Sequence, residues 1–499
     1  MISRTNVRRG IAMGTAMGIA MGTVRGNDRR PPISACRALV VPYWLAIGLL
    51  AMGAFWQPMD LPQPIFAATE SGTGTSDLQP TGAGMLEILA GGDLRGEIKP
   101  CGCSPEGQIG GLPRRLTFLA QAFAAERDGP RPILLDTGNN FPEPSDQGRP
   151  KIDLIQTLLN RDRPEAILPG PNELAMGTAL LDPGLPYMVS NDAMGKAFAP
   201  FLTVERAGLR IGLFGYISPE VVYQMFSQQY RLESISPAWL ERVAARIASE
   251  GHDRTILLFR GNDLELETLA ASGLFDRIIV GNPLDDELNQ VTTRRVAAGV
   301  FPQVPTKGQG LYRIPLAGGP PVSPGVGTVV WLTDEFADHP AALAAFEEYD
   351  GRVKGLFFAR LETLERQNSA SPYAGAATCA ACHPKANDVW SSSRHAHALP
   401  SLEAVGKQFD PECVACHVVG MERGGFLSQD LTPQLAGVQC ENCHGPAKAH
   451  ATQPMAVKPD RIQRGAATAG TAVAVCRDCH VGSHSPVFAF GTYWEKIAH

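Results

Sequence analysis

The chain has no surplus of positive charge. Its 44 Lys and Arg stand against 50 Asp and Glu, a net charge of −6 and a pI near 6.0. Without a basic field, nucleic-acid binding is set aside. Thiols and imidazoles are scarce over most of the length: three of 11 Cys and two of 11 His precede Cys379. The last quarter, in turn, is short of large apolar side chains, so it cannot bury an ordinary core. It holds instead the other eight Cys and nine His, between Cys379 and His499. Soft and imidazole ligands are concentrated there for a reason. With 499 residues, 44% hydrophobic and 19% charged, the rest is long enough for at least one conventional core.

Seven Arg and one Asp precede Ala38. A 19-residue apolar run, Ala38 to Trp56, follows, and then a Pro-rich stretch to Ile65-Phe66-Ala67-Ala68. Basic, apolar and small-residue segments in this order read as a signal peptide over residues 1–70. The run is also long enough for an uncleaved membrane anchor, although Pro42 and Gly48 weaken a spanning helix. Both readings place the bulk of the chain outside the cytoplasm, in the periplasm or on the outer face of the membrane.

Four C-x-x-C-H motifs follow one another in the tail: Cys379/Cys382/His383, Cys413/Cys416/His417, Cys440/Cys443/His444 and Cys476/Cys479/His480. Shuffling this composition would yield roughly 0.005 such motifs per chain, so the pattern is a signal of c-type haem attachment. Two thiols at this spacing reach the two haem vinyl groups, and the adjacent His becomes the proximal iron ligand. A zinc site would not fix a His after every second Cys. Four covalent haems are expected. His395, His397, His450, His484 and His499 are the remaining candidates for sixth ligands, and only Met421 and Met455 offer thioethers, so bis-histidine ligation is the default.

The tail resembles the tetrahaem cytochromes typified by the electron acceptor of hydroxylamine oxidoreductase, over about residues 373–499. The matching features are Trp390-x-x-Ser393-x-His395-Ala396, Cys443-His444-Gly445-Pro446 with His450, and the closing Tyr493–His499. The resemblance implies His395, His450 and His499 as distal ligands and leaves His397 and His484 weak, since in that family one haem can lack a sixth protein ligand. It also implies redox partner proteins. The apo tail is expected to be largely unstructured, because four haems must serve as its core.

Between residues 83 and 332 short apolar runs alternate with helical stretches. Met85–Leu89, Pro132–Leu135, Glu165–Leu168, Tyr187–Val189, Leu209–Phe214, Thr255–Phe259 and Arg277–Val280 read as buried strands. Leu112–Arg127 and Pro237–Glu250 read as amphipathic helices, which gives an α/β layered domain. Asp334–Gln367 reads as a helical connector, with Ala342, Phe346, Val353, Phe357 and Leu361 on helical spacing. Residues 333–370 are thus a linker, and 371–499 a mainly α, irregular multihaem cytochrome c domain.

The middle region resembles calcineurin-like metallophosphoesterases, more closely the 5′-nucleotidase, UDP-sugar hydrolase and sulfate thiohydrolase branch. The shared features are Gly92-Asp93-Leu94-Arg95-Gly96, Gly110-Gly111-Leu112, Leu135-Asp136-Thr137-Gly138-Asn139, Gly170-Pro171-Asn172-Glu173, Ser190-Asn191-Asp192, Arg210–Gly215 and Val280–Pro283. A layered sandwich is implied. The departures matter more. Arg95, Asn139, Pro171-Asn172, Arg260, Asn282 and Leu284 stand where that family keeps metal ligands, and Asp93 alone survives as a carboxylate. Two guanidinium groups in place of donors exclude an ordinary two-metal hydrolytic mechanism. If Arg95 and Arg260 converge with Asn139, Asn172 and Asn282 at the strand ends, their forks suit an oxyanion.

Cys101-Gly102-Cys103 lies near the same pocket mouth. Adjacent thiols of this kind form a readily reduced disulfide, bind a soft ion, or are simply structural. The sequence therefore reads as an exported tetrahaem cytochrome fused to a phosphoesterase-like domain without its metal ligands. The alternatives are an oxidoreductase for a sulfur or nitrogen compound, using Cys101/Cys103 or an open haem, and a divergent hydrolase.

Overall fold

The computed structural model describes residues 86–100, 108–124, 129–222, 229–282, 291–316, 327–367, 371–462, 469–481, 484–485 and 487–499. The segment read as a signal peptide or anchor (residues 1–70), Cys101, Cys103 and Leu284 lie outside these residues.

The first sheet grows from a strand whose five residues are all buried, β1 (Glu87–Gly91), followed by β2 (Ile133–Asp136) and β3 (Ala166–Ile167). β1 pairs in parallel with β2 (Ile88↔Ile133), and β2 in parallel with β3. The second sheet contains β4 (Leu202–Arg206), β5 (Leu209–Ile217), β6 (Arg254–Arg260) and β7 (Arg277–Val280) in that order, the last three parallel. A hairpin, β8 (Thr293–Val296) and β9 (Gly299–Pro302), follows. β10 (Gly310–Pro315) then returns antiparallel to β1, and β11 (Thr328–Trp331) lies outside it, giving the order β11-β10-β1-β2-β3.

Side chains alternate across each strand, so each sheet buries two faces. Ile88, Ala90, Ile133, Leu135 and Ile314 from the first sheet share one buried cluster with Ile211, Leu213, Ile256, Leu258 and Ile279 from the second. The two sheets therefore pack face to face. On the outer face of the second sheet, Phe214, Tyr216, Leu257 and Phe259 bury Trp239 and Val243 of one helix and Leu266 and Leu269 of another. On the outer face of the first, Leu89, Leu134 and Leu311 pack on Phe118 and Leu119. The helices are α1 (Leu112–Ala124), α2 (Gly148–Asp162), α3 (Pro171–Met176), α4 (Pro237–Glu250) and α5 (Asp263–Ala271). The layered sandwich expected for the middle region is present.

Local sequence explains where the helices begin. Ser236 accepts a hydrogen bond from the Trp239 amide at 3.2 Å, Pro237 occupies the first turn, and Gly251 ends α4 in the left-handed conformation. Asn262 and Glu265 form a reciprocal capping box on α5.

Two differences from the sequence reading have a local cause. Tyr187–Val189 makes only single bridges, Ile167↔Tyr187 and Met188↔Ala199. Pro186 has no amide to extend the ladder on one side, and on the other the chain turns out at Asn191, whose side chain caps Ile217 and Glu233 carbonyls. The strands β4, β8, β9, β10 and β11 are not announced as apolar runs, because most are short and half-exposed, mixing Thr, Arg and Gly with apolar residues.

The helix α6 (Pro340–Gln367) belongs to both halves. Ala342, Phe346, Tyr349 and Val353 are buried in the sandwich cluster. One and two turns on, Phe357 and Leu361 are buried with Leu399, Leu402, Val414, Val418, Phe426 and Leu435 of the tail. The stretch read as a connector is a shared core element. Ion pairs line its flanks: Arg352–Asp153 at 2.8 Å, Arg360 to Asp146 at 3.0 Å and Glu422 at 2.9 Å, Lys407–Asp350 at 2.6 Å, and Lys151–Glu412 at 2.5 Å.

Beyond α6 the tail is made of short helices: α7 (Ala376–Ala380), α8 (Pro384–Ser391), α9 (Ala398–Glu403), α10 (Pro411–His417), α11 (Cys440–His444), α12 (Lys448–Thr452), α13 (Ala469–Arg477) and α14 (Phe490–Trp494). None is long enough to be stable alone. Each C-x-x-C-H motif begins on or forms one of them: α7, α10, α11 and α13. No helix among the described residues is long and apolar enough to cross a membrane.

Candidate functional site

The tail brings its histidines together in pairs. His383 faces His450 with ring centroids 6.4 Å apart, His480 faces His395 at 6.2 Å, and His444 faces His499 at 5.9 Å. Two imidazoles binding one metal through bonds of about 2 Å put their ring centres about 6 Å apart. The residues therefore fit a bis-histidine iron at the first, third and fourth motifs. His417 of the second motif has no histidine at this spacing among the described residues.

The ring tautomers suit the same role. His417 Nδ1 lies 2.6 Å from the Ala398 carbonyl, His444 Nδ1 2.6 Å from that of Ile462, His450 Nδ1 2.7 Å from that of Val457, and His499 Nδ1 3.0 Å from that of Ile497. A carbonyl can only accept, so the proton sits on Nδ1 and the Nε2 lone pair is left for a metal. His480 Nδ1 is 3.1 Å from the Ser485 hydroxyl. His397 ends an exposed turn, Arg394–His397. His484 lies close enough to Glu97 of the sandwich for their charges to interact.

The thiols of the four C-x-x-C-H motifs are arranged in a chain that the sequence does not reveal. Cys379 and Cys440 are within hydrogen-bonding reach of each other, as are Cys416 and Cys479, and Cys443 lies near Cys476. The motifs are thus neighbours in the order first, third, fourth, second.

At the strand ends of the sandwich, Asp93, Arg95, Asn139, Asn172, Arg260 and Asn282 do converge. Asp93 is fully buried. It accepts from Asn139 Nδ2 at 3.0 Å and pairs with Arg95 Nε at 3.1 Å and Arg260 Nη1 at 3.4 Å. Arg260 also donates to the carbonyls of Asn282, Thr137 (3.0 Å) and Gly138 (3.5 Å). Its side chain is 1% exposed. The expectation of a fork offered to an oxyanion is therefore corrected at Arg260: its Nη1 and Nη2 donors are turned inward onto Asp93 and backbone carbonyls, and its Nε is buried without a partner among the described residues. Arg95 is tied back to Asp93, and Asn172 donates to the Phe141 carbonyl while its amide donates to Asn139 Oδ1. Burial pushes the Asp93 carboxyl above its ordinary pKa, against the pull of Arg260 and Arg95.

The loops keep an unusual backbone. Asp93, Arg95 and Asn139 all have φ between 51° and 60°, a region that non-glycine residues seldom occupy. Gly138 is also left-handed, and a side chain there would collide with the Leu168 carbonyl. Glu173 locks this arrangement: its buried carboxylate accepts from the amides of Asn139 (3.0 Å), Asn140 (2.5 Å) and Gly170 (3.0 Å). Beneath it, Arg115 of α1 bridges Asp136 at 3.0 Å and Asp162 at 2.6 Å, all three buried. Burial pushes Asp162 up to about 6. Neither Glu173 nor the Arg115 bridge was assigned a role from sequence. Glu173 closes the Gly170-Pro171-Asn172-Glu173 motif and is visible in the sequence, whereas the partners of Arg115 are 21 and 47 residues away and leave no local signal.

Residues 378–445 match the profile of a protein family described as cytochrome c554 and c-prime. Cytochrome c-554 of Nitrosomonas europaea is 34% identical over 113 residues, which cover 19% of this chain and 48% of that protein. The chain thus spans about half the length of the curated relative it matches. The sandwich is similar to solved structures of a 5′-nucleotidase precursor from Thermus thermophilus (18% identity, TM-score 0.43, 54% of this chain and 59% of that one) and of the sulfate thiohydrolase SoxB from the same organism (13%, 0.41, 54% and 61%). The C-terminal region is similar to c-type cytochromes that bind haem covalently, and the front region to nucleotidase-like sandwiches.

Proposed function

We propose that this protein is an exported tetrahaem cytochrome that transfers electrons, carried on a phosphoesterase-like sandwich that does not hydrolyse. The observation that carries the reading is the set of three histidine pairs spaced 5.9–6.4 Å apart, each containing the His of a C-x-x-C-H motif. Eight thiols, Cys379, Cys382, Cys413, Cys416, Cys440, Cys443, Cys476 and Cys479, would hold four haems; His383, His417, His444 and His480 would be proximal ligands, and His450, His499 and His395 distal. Haem supplies reversible one-electron chemistry at such sites. The chain's own part is to hold the rings through Nδ1–H contacts and to keep the motifs adjacent, first to third to fourth to second. Redox partner proteins on either side of this chain of sites, and a place outside the cytoplasm, belong to the same reading.

The non-hydrolytic reading of the front region is supported by Arg260, whose buried guanidinium already supplies positive charge to Asp93. A second reading has its own support: of the four motif histidines, His417 alone lacks a facing histidine among the described residues, which favours an open position at the second motif for a small nitrogen or sulfur ligand. One preparation tests all of this. Holoprotein from a host that matures cytochromes is expected to carry the mass of four haems, to bind carbon monoxide after reduction at one site in four, and to leave phosphate esters intact with added Mn or Zn. Colourless protein without added mass would overturn the reading.

A further inference from the structure

We infer that Glu441 is a positioning residue that fixes the first attachment motif against the third and supplies the negative charge that the haems of that pair experience. The inference rests on the tail being haem-loaded as proposed above. Glu441 stands between Cys440 and Cys443, at a position that the third C-x-x-C-H motif leaves unspecified. Here it is 3% exposed. One carboxylate oxygen accepts from the amides of Ala447 (2.7 Å) and Ala374 (3.0 Å), and the other from those of Gly375 (2.8 Å) and Ala374 (3.1 Å). In every contact it is the acceptor, as an ionised carboxylate is. No Lys, Arg or His pairs with it among the described residues.

Two of the amides it holds, those of Ala374 and Gly375, belong to the turn that starts α7, the helix bearing Cys379; the third is that of Ala447, the residue that caps α12. Gln439, on the other side of Cys440, completes the grip: its Oε1 accepts from the Ala376 amide at 2.6 Å, while its Nε2 donates to the carbonyls of Gln434 and Ala436. Gly375 sits between them with φ 82°, and a Cβ there would lie 2.8 Å from the Gln434 carbonyl, so the approach is too close for any other residue. The result is that Cys379 and Cys440 stand within reach of each other. Buried charge in a low-dielectric interior acts strongly on nearby sites, and a negative one favours the oxidised, more positive iron. Glu441 therefore lowers the potentials of the first and third haems while bracing them.

The two roles separate in two variants of the full-length holoprotein, followed by potentiometric titration in the visible range and by thermal unfolding. Glu441→Gln keeps the shape, loses the charge, and points an NH2 at amides that need an acceptor. Two of the reduction steps are expected to move to higher potential, and the tail to unfold at lower temperature. Glu441→Asp keeps the charge on a shorter arm; its reduction steps are expected to stay close to those of the parent while unfolding remains early. A Glu441→Gln holoprotein that titrates like the parent overturns the inference, as does Glu441→Asp moving the steps equally far. Should Glu441→Gln yield no mature protein, parental unfolding of Glu441→Asp overturns the bracing role. Parent protein lacking haem mass would instead remove the tetrahaem reading itself, a separate outcome.

Discussion

The two regions on either side of α6 solve the problem of a core in opposite ways. The sandwich buries apolar side chains from two sheets and their flanking helices, and its strand-end loops are held by an internal ion pair of Asp93 with Arg260. The tail has one apolar cluster, shared with Phe357 and Leu361 of α6, and beyond it helices of five to nine residues that are organised around paired histidines and adjacent thiols. A region whose stability resides in its own side chains can lose a ligand site and persist. A region built around a prosthetic group cannot.

The contrast is broken most directly by removing one anchor. Cys440→Ser with Cys443→Ser is expected to subtract one haem from the intact mass and to make residues beyond 370 sensitive to protease, with the sandwich still resistant. Equal sensitivity of both regions would show that the sandwich too depends on haem. Next in size is Arg115→Met, which strands Asp136 and Asp162 in the interior. A loss of about 3–5 kcal/mol is expected in denaturant unfolding of the sandwich, with the haem spectrum unchanged.

The third test is one of pH. Asp162 has a folded pKa of about 6 against an ordinary value of 3.8, so the folded state holds its proton more tightly than the unfolded one. Its contribution, on the order of 3 kcal/mol, is complete below the unfolded value and fades as pH rises through the folded one. Asp162→Asn should remove that part of the decline between about pH 4 and pH 6. The smallest effect belongs to the boundary. Lys151 is buried but Glu412 is half exposed, so Lys151→Met should shift stability by no more than about 1 kcal/mol. A larger loss would show that the two regions stabilise one another through charge as well as through α6.

What could be read from sequence follows the range of the interaction that carries it. The C-x-x-C-H motifs are local and dense, and strands buried on both faces such as Ile133–Asp136 and Arg254–Arg260 announce themselves as apolar runs. The helical spacing of Ala342, Phe346, Val353, Phe357 and Leu361 was legible as well, and all five are buried. Convergence of Asp93, Arg95, Asn139 and Arg260 followed from motif order, but the direction in which Arg260 points did not, because orientation is set by carbonyls 122 and 123 residues away. Glu441 escaped for a similar reason. A carboxylate that grips the amides of Ala374 and Gly375 looks, along the chain, like any residue between two cysteines. The pairing of His383 with His450, or His395 with His480, is likewise a long-range fact.

The helix from Pro340 to Gln367 makes the two halves inseparable in a practical sense. A fragment ending at residue 332 would expose the hydrophobic seat that Phe346 and Tyr349 fill, and one starting at residue 371 would strip Phe357 and Leu361 out of the tail. Whatever the ancestry of the pieces, they are now joined like two beams sharing a single dowel, and neither can be dismantled without opening the other.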